Sequence, residues 1–298
     1  MKMQPIYVGI ALAIAATACF GVFDTTTKYV VTHGTSLTLA LWVRYTFQSL
    51  TTTAVILPQQ GLAIFRTRAL HLQILRGLLL VSISLFSMYT LTFMPVGEFT
   101  AIMMMAPLLI TLFAVLVLKE SVSLVRWLLL AGGFAGTLLI IRPGAGDFQW
   151  MVALPLSLVV ANAWFQVITS RLARLDAPAT THLYTGLVGA VVASILLPFT
   201  WQASPHWTTW LLLIFMGLCS SGGHFLLILA YGRAAAAAIT PYLYGQILFA
   251  MAGGWLVFDP APDQWALAGM ALVGLCGATT AWVVTRENRV MGAASPKG

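Results

Sequence analysis

Between Ala177 and Gly232 the chain carries no Lys, Arg, Asp or Glu. A helix that spans a bilayer needs about 20 mostly apolar residues, because roughly 30 Å of hydrocarbon is crossed at 1.5 Å per residue. The uncharged run is too long for one such span. Pro198 and the segment Gln202-Ala203-Ser204-Pro205 divide it into two, since proline and small polar residues mark turns.

The rest of the 298 residues obeys the same rule. They are 60% hydrophobic and only 8% charged, whereas soluble domains carry about 25% charged residues. So few charged side chains do not clothe a soluble surface. The composition excludes a soluble enzyme, a nucleic-acid module and a disordered tail protein. It predicts an all-α integral membrane protein. Ten spans are read between charges and turns, at about 6–31, 36–57, 69–93, 97–118, 123–142, 150–171, 179–200, 207–231, 236–258 and 264–285.

The net charge of +7 follows from orientation. With the N-terminus inside, the cytoplasmic side collects Lys2, Arg66, Arg68, Arg76, Lys119, Arg126, Arg171, Arg174, Arg233, Arg286, Arg289 and Lys297. The other side holds Lys28, Arg44 and Arg142, a bias of twelve against three. Cytoplasmic loops of membrane proteins carry such an excess, so both termini are expected in the cytoplasm. Lys2 with the apolar run to Ala16-Thr17-Ala18 also resembles a secretory signal. The apolar stretch continues past Ala18, and a retained first helix is the preferred reading. Cys19, Cys219 and Cys276 form no metal or disulfide spacing. No metal and no cofactor is expected.

Two halves are legible, 1–145 and 146–298. Lys28 corresponds to Arg171, Glu120 to Asp259, Trp127 to Trp265 and Gly136 to Gly274, with one residue of drift. Five helices per half send the second copy in from the opposite side. The expected architecture is therefore an inverted repeat, in which transporters place a substrate site near the midplane between the copies.

Specific residues add a resemblance. Met94-Pro95-Val96-Gly97-Glu98-Phe99-Thr100-Ala101, Ala106-Pro107-Leu108, Leu118-Lys119-Glu120, Gly132-Gly133-Phe134-Ala135-Gly136 and Ile141-Arg142-Pro143-Gly144 resemble the EamA repeat of the drug/metabolite transporter superfamily. Phe20-Gly21 with Lys28 resembles that family's first helix. The second half departs from the pattern, with Gln246 near the usual proline position and Asp259 in place of glutamate. Within the family the chain looks most like YddG-type exporters of aromatic and other amino acids. The resemblance implies ten helices, an inverted repeat and efflux of small metabolites across a bacterial inner membrane.

A solute path through the bundle is lined by groups that lipid tolerates least. The candidates are Ser82, Phe86 and Tyr89 on helix 3, Asn162 and Trp164 on helix 6, His224 on helix 8, and Tyr242, Tyr244 and Gln246 on helix 9. Each also reads as packing or as an interface anchor. Only one of the two faces of helix 6, Asn162 with Gln166 or Trp164, can look inward. Asp24 and Lys28, one turn apart, are expected to pair with each other, and Glu98 with Lys28 or Arg44. Asp24 and Glu98 are the candidates for proton coupling, with facilitated export as the alternative. Pro107, Pro155 and Pro241 are candidate kinks for alternating access. Gly132 and Gly136 form a GxxxG contact expected within the chain, which is expected to be a monomer.

The leading expectation is a secondary transporter that exports amino acids and similar amphiphiles, its partners being a small solute and the lipid bilayer. A multidrug or other-metabolite exporter is the alternative. A channel is a second class. An intramembrane enzyme is a third, for which His224 with Ser220 or Ser221 is the sole hint and no orienting acid is near in sequence. The absence of a GxxxxGK[ST] string excludes ATP-driven pumping by this chain alone.

Overall fold

The computed structural model describes residues 5–90, 102–141, 153–200, 206–258 and 263–294. Ten helices of thirteen residues or more lie along them: α1 (Pro5–Thr32), α2 (Leu37–Gln60), α3 (Leu70–Thr90), α4 (Ala106–Leu118), α5 (Leu124–Ile141), α6 (Ala153–Leu172), α7 (Pro178–Leu196), α8 (Trp207–Tyr231), α9 (Gly245–Phe258) and α10 (Gln264–Ala294). The described residues contain no strand. Five helical stretches are long and apolar enough to cross a membrane: Pro5–Thr32, Leu70–Ser87, Ala153–Leu172, Pro178–Thr200 and Trp207–Tyr231. α2 is long enough but more polar, carrying Arg44, Gln48 and Thr51 to Thr53. α4 is apolar but has only 13 residues.

Several threonine hydroxyls inside these helices are spent locally. Thr25, Thr26 and Thr27 donate to the carbonyls of Gly21, Val22 and Phe23 at 2.9, 2.8 and 2.7 Å. This back-bonding lets a threonine sit in an apolar bundle without an orphaned donor. Turns are made where the backbone tolerates them. Gly34 has φ 86° between α1 and α2, and α4 ends on Lys119 at φ 55°.

One expected proline kink takes another form. Pro107 occupies the first turn of α4, after a turn at Met104 and Met105. A proline there removes an N–H that has no intrahelical partner anyway, so it does not kink its helix. Pro155 lies near the start of the described part of α6. Pro241 does interrupt a helical path. A helical turn at Ala236–Ile239 passes into a 3-10 segment at Thr240–Tyr244 before α9 begins. The continuous helix expected over 236–258 is thus broken where Pro241 cannot donate.

The closest packed pairs are α1 with α8 and α9, α2 with α7 and α8, α3 with α6 and α7, α4 with α6, and α5 with α10. In the α5–α10 pair, a Cβ placed on Gly132 would lie 2.8 Å from Cys276 Sγ, and one on Gly136 would lie 3.0 Å from the Gly269 carbonyl. The GxxxG spacing thus serves close contact within the chain, as expected.

Polar contacts fix which loops share an end. At one end, Arg174 pairs with Glu120 at 3.0 Å and Arg126 with Glu287 at 2.5 Å, while the Tyr184 hydroxyl donates to the Phe65 carbonyl. Asp176 accepts from the Arg68 backbone at 2.9 Å, and Glu120 accepts from the backbone of Ala236 and Ala237. At the other end Thr38 bonds Thr200 at 2.6 Å. The loops rich in Lys and Arg therefore gather at one end, as alternating spans require. Arg44 and Arg76 do not behave as loop charges. They are 6% and 1% exposed, inside α2 and α3.

At Gly21 in α1 an added Cβ would lie 2.5 Å from the Cβ of Phe249 and 2.8 Å from the Ala250 nitrogen, so backbone must move. Gly21→Ala is expected to destabilise the protein by about 1–3 kcal/mol through overpacking. Gly274→Ala, where nothing lies within 4 Å, is expected to leave stability unchanged or slightly raised. Thermal unfolding of the two purified variants in detergent tests this; equal melting temperatures would refute the close α1–α9 approach.

Candidate functional site

α2 presents Arg44 and Gln48 on one face, one turn apart. Arg44 Nη2 donates to His224 Nε2 at 2.9 Å, joining α2 to α8. One turn along α2, Gln48 Nε2 donates to His182 Nδ1 at 3.3 Å and to the His182 carbonyl at 2.9 Å. His182 Nε2 then meets Ser221 Oγ at 2.9 Å, bringing in α7 and α8. The two rungs fix the histidine tautomers. A guanidinium has donors only, so the Nε2 of His224 must be the bare nitrogen. Gln48 likewise makes Nδ1 of His182 the acceptor, which leaves Nε2–H to donate to Ser221. Both imidazoles are neutral.

Aromatic rings wall this cluster. Arg44 lies over the faces of Phe23 at 4.8 Å and Tyr45 at 5.0 Å. The rings of Phe20 and Phe165 approach His224 at 4.9 and 5.9 Å, both edge to face. Beyond Phe165 stands Arg76, 4.6 Å over the same ring. Its Nε donates to Thr169 Oγ1 at 2.7 Å, and its Nη1 to Thr185 Oγ1 and the Thr181 carbonyl. Among the described residues no carboxylate forms an ion pair with Arg44 or Arg76. No three His, Cys, Asp or Glu side chains there cluster as a metal site requires.

Of the residues expected from sequence, Asp24 and Gln246 are brought together at 2.6 Å, joining α1 to α9. The expected Asp24–Lys28 pair does not form. Lys28 instead lies 4.6 Å over the Phe258 ring, because α9 supplies partners for both side chains. His224 sits at the centre of the cluster. Ser82 and Asn162 are half-buried on α3 and α6. Phe86, Tyr89 and Trp164 are exposed, and Trp164 packs on Phe113 at 5.1 Å. On α6 it is Phe165 and Gln166 that are buried. Tyr242 is buried against α1, and Tyr244 lies between α5 and α10 with Leu130 and Val273. Glu98 lies outside the described residues, as do Arg142 and Asp259.

Sequence reasoning missed Arg44, Gln48, Arg76, His182, Phe20, Phe23 and Phe165. The signal was present for the arginines. Both fall inside predicted spans, and an ionisable residue at that depth is a functional candidate by default. Counting them as orientation charges hid it.

Comparison with known proteins bears on what such a cluster serves. Residues 7–142 match the EamA-like transporter family. The chain carries the EamA signature over its first half. A riboflavin transporter of Vibrio cholerae is 29% identical over 65% of this chain and 66% of that protein. An S-adenosylmethionine uptake transporter of Rickettsia conorii is 27% identical over 90% of this chain and 89% of its own. A pseudopaline exporter of Pseudomonas aeruginosa is 26% identical over 89% of this chain and 93% of its own. A solved crystal structure has the same fold, with a TM-score of 0.78 at 17% identity, covering 94% of this chain and 98% of that one. The family match covers residues 7–142, and the named relatives are transporters, which supports a membrane transporter. None of the three named relatives is called an amino-acid exporter, so the narrower resemblance is not carried by them.

Outside the helices, Asp176 ties the two halves of the chain. Burial alone would raise its carboxyl. The Arg68 backbone N–H, the Thr67 hydroxyl, the Gln73 amide and the Arg68 charge outweigh burial and hold it below its ordinary value of 3.8. A depressed carboxyl stabilises the fold fully above its unfolded value and loses that contribution as pH falls through the folded one. Asp176→Asn should therefore melt below the wild type at pH 6, with the gap closing as pH falls below 3.8. A gap that does not depend on pH would show that the carboxylate charge is not what ties the loops.

Proposed function

We propose that the chain is a secondary transporter that carries small amphiphilic solutes bearing a carboxylate by alternating access between two inverted five-helix repeats. Amino-acid export from the cytoplasm is its most specific form. The observation that carries the reading is Arg44, a buried guanidinium held by a neutral imidazole and two aromatic faces, with no carboxylate in ion-pair contact among the described residues. A charge in that setting is costly unless something of opposite sign visits it. Aromatic walls beside it suit the apolar part of such a solute.

The division at residues 145 and 146 is supported by the packing itself. If each helix is exchanged for the one five places along, α1–α8 becomes α6–α3, α1–α9 becomes α6–α4 and α2–α8 becomes α7–α3. The α2–α7 and α5–α10 pairs map onto themselves. This is the pattern expected of two copies related by a two-fold axis, and five helices per copy make the copies antiparallel. The gathering of Lys and Arg at one end supports a cytoplasmic placing of that end and of both termini. The matches to transporters agree with a chain that is not an enzyme.

A second reading, a carrier of larger metabolites, is favoured by relatives named for riboflavin and S-adenosylmethionine. Counterflow of radiolabelled L-phenylalanine into liposomes containing only this protein separates the two, with L-threonine, riboflavin and a cationic dye as competitors. Saturable uptake competed by L-threonine is the expected result, and competition by riboflavin alone would move the assignment to the second reading. Flux that does not saturate would instead make the protein a channel. Arg44→Gln should weaken half-saturation on the order of tenfold to a hundredfold, the loss of one charge-assisted contact, at unchanged folded yield. An unaltered half-saturation would remove Arg44 from the solute path.

A further inference from the structure

Two donors in the Arg44–His224 contact are unspent. Arg44 Nε and His224 Nδ1 are buried and hydrogen-bond to nothing, although their residues are only 6% and 8% exposed. Buried donors almost always have partners, so the unspent Arg44 Nε–H, next to the Nη2 that meets His224 Nε2, marks a place for an acceptor, while His224 Nδ1–H leaves the far edge of the imidazole. A carboxylate matches it, because a guanidinium presents Nε–H and Nη–H as a fork that a carboxylate accepts in bidentate fashion.

Seating a carboxylate on that fork has a consequence for His224. Nη2 is the group that now donates to His224 Nε2. Nη2 carries two hydrogens and can hold a carboxylate while still neighbouring His224, but the bare Nε2 then faces an anion with a lone pair of its own. A proton on Nε2 removes the clash and turns the imidazole into a second cationic donor to the same carboxylate. With Arg44 alone, the proton is disfavoured, since Nε2–H would point at a guanidinium that has only donors.

The groups around His224 reinforce this dependence. Arg44 on α2, Arg76 on α3 and His182 on α7 are the charged or titratable groups that act on it. From α1 and α6 it meets the rings of Phe20 and Phe165. Asp24 on α1 acts on Arg44 and bonds Gln246. No acid touches the imidazole among the described residues, so the anion that favours its protonation is one that arrives from outside.

We propose that Arg44 and His224 form a joint site for a carboxylate and a proton, so that each solute anion bound there brings one proton onto His224 Nε2. The proposal rests on the carboxylate-carrier reading above, not on the direction of transport, and adds a proton that binds with the solute and travels the same way. It moves proton coupling from the acids Asp24 and Glu98 to an imidazole. By linkage, the anion raises the proton affinity of His224 and the proton raises the affinity for the anion by the same factor.

Calorimetric titration of the purified full-length protein counts the protons. Phenylacetate, L-phenylalanine and phenylethylamine serve as probes, each in two buffers of different ionisation enthalpy and at several values between pH 5.5 and 8. The two carboxylates should bind with proton uptake that approaches one per ligand, and in that range affinity should fall by up to about tenfold per unit rise in pH. Phenylethylamine should not compete. His224→Gln, with His224→Asn as a second variant, should bind more weakly with no proton uptake. His206→Gln, at the exposed start of α8, should leave both quantities unchanged. Carboxylate binding without proton uptake, or uptake that survives in both His224 variants, would overturn the coupling and leave the carrier reading standing. Binding of phenylethylamine alone would overturn the anion site. Absence of any binding in a preparation that still shows saturable counterflow would sink this proposal only, whereas absence of both would take the carrier reading with it.

Discussion

A guanidinium does not shed its charge, and among the described residues two of them are buried in this bundle. Removing such an ion from water costs several kcal/mol even after the protein relaxes. The neighbourhoods of Arg44 and Arg76 offset that cost in different ways. Arg76 spends its donors on Thr169, Thr185 and the Thr181 carbonyl and rests on the Phe165 ring, so it binds α3 to α6 and α7 as a fixed tie. Arg44 has two ring faces and a single imidazole nitrogen, and keeps a donor unspent. The one is satisfied by the fold, and the other is left with capacity for a ligand.

Much of the surrounding architecture follows from keeping Arg44 in that position. α2 is not among the five stretches long and apolar enough to cross a membrane, since it carries Arg44, Gln48 and a threonine run along its length. It is accommodated by packing against α7 and α8, which supply His182, Ser221 and His224. The hydroxyls that face no such partner are returned to their own helix, as Ser49, Thr51 and Thr52 do to the carbonyls of Tyr45, Phe47 and Gln48. Polarity along α2 is thereby concentrated on Arg44 and Gln48.

The helices were legible from sequence and most of the cluster was not, for a physical reason. Helix limits follow from the spacing of charges and prolines along the chain, a local property, and the observed starts of α2, α3, α5 and α8 lie within one residue of the expected ones. The limits failed where backbone chemistry intervened. The path into α9 breaks at Pro241, and Met104 and Met105 turn before α4. The cluster depends on which helix faces meet. Arg44 and His224 are 180 positions apart, and Gln48 and His182 are 134 apart. A single sequence gives no register between such helices. Asp24 and Gln246 were both singled out, but their contact was not, since Lys28 one turn away offered a simpler partner.

The broken path into α9 links the cluster to the end of the molecule where the Lys- and Arg-rich loops gather. Glu120 holds the backbone nitrogens of Ala236 and Ala237 there and pairs with Arg174. Five residues of 3-10 helix follow, and Gln246, just past them, bonds Asp24, which acts in turn on Arg44. A 3-10 segment has poorer hydrogen-bond geometry than an α-helix and marks a place where a helix deforms at low cost. In a carrier whose ends open in turn, release of the Glu120 contacts would free the first turn of this path. The deformation would collect at Thr240–Tyr244 and reach Arg44 through Gln246 and Asp24. The same acid that fails to pair with Lys28 thus lies between the contacts at one end and the charge at the centre.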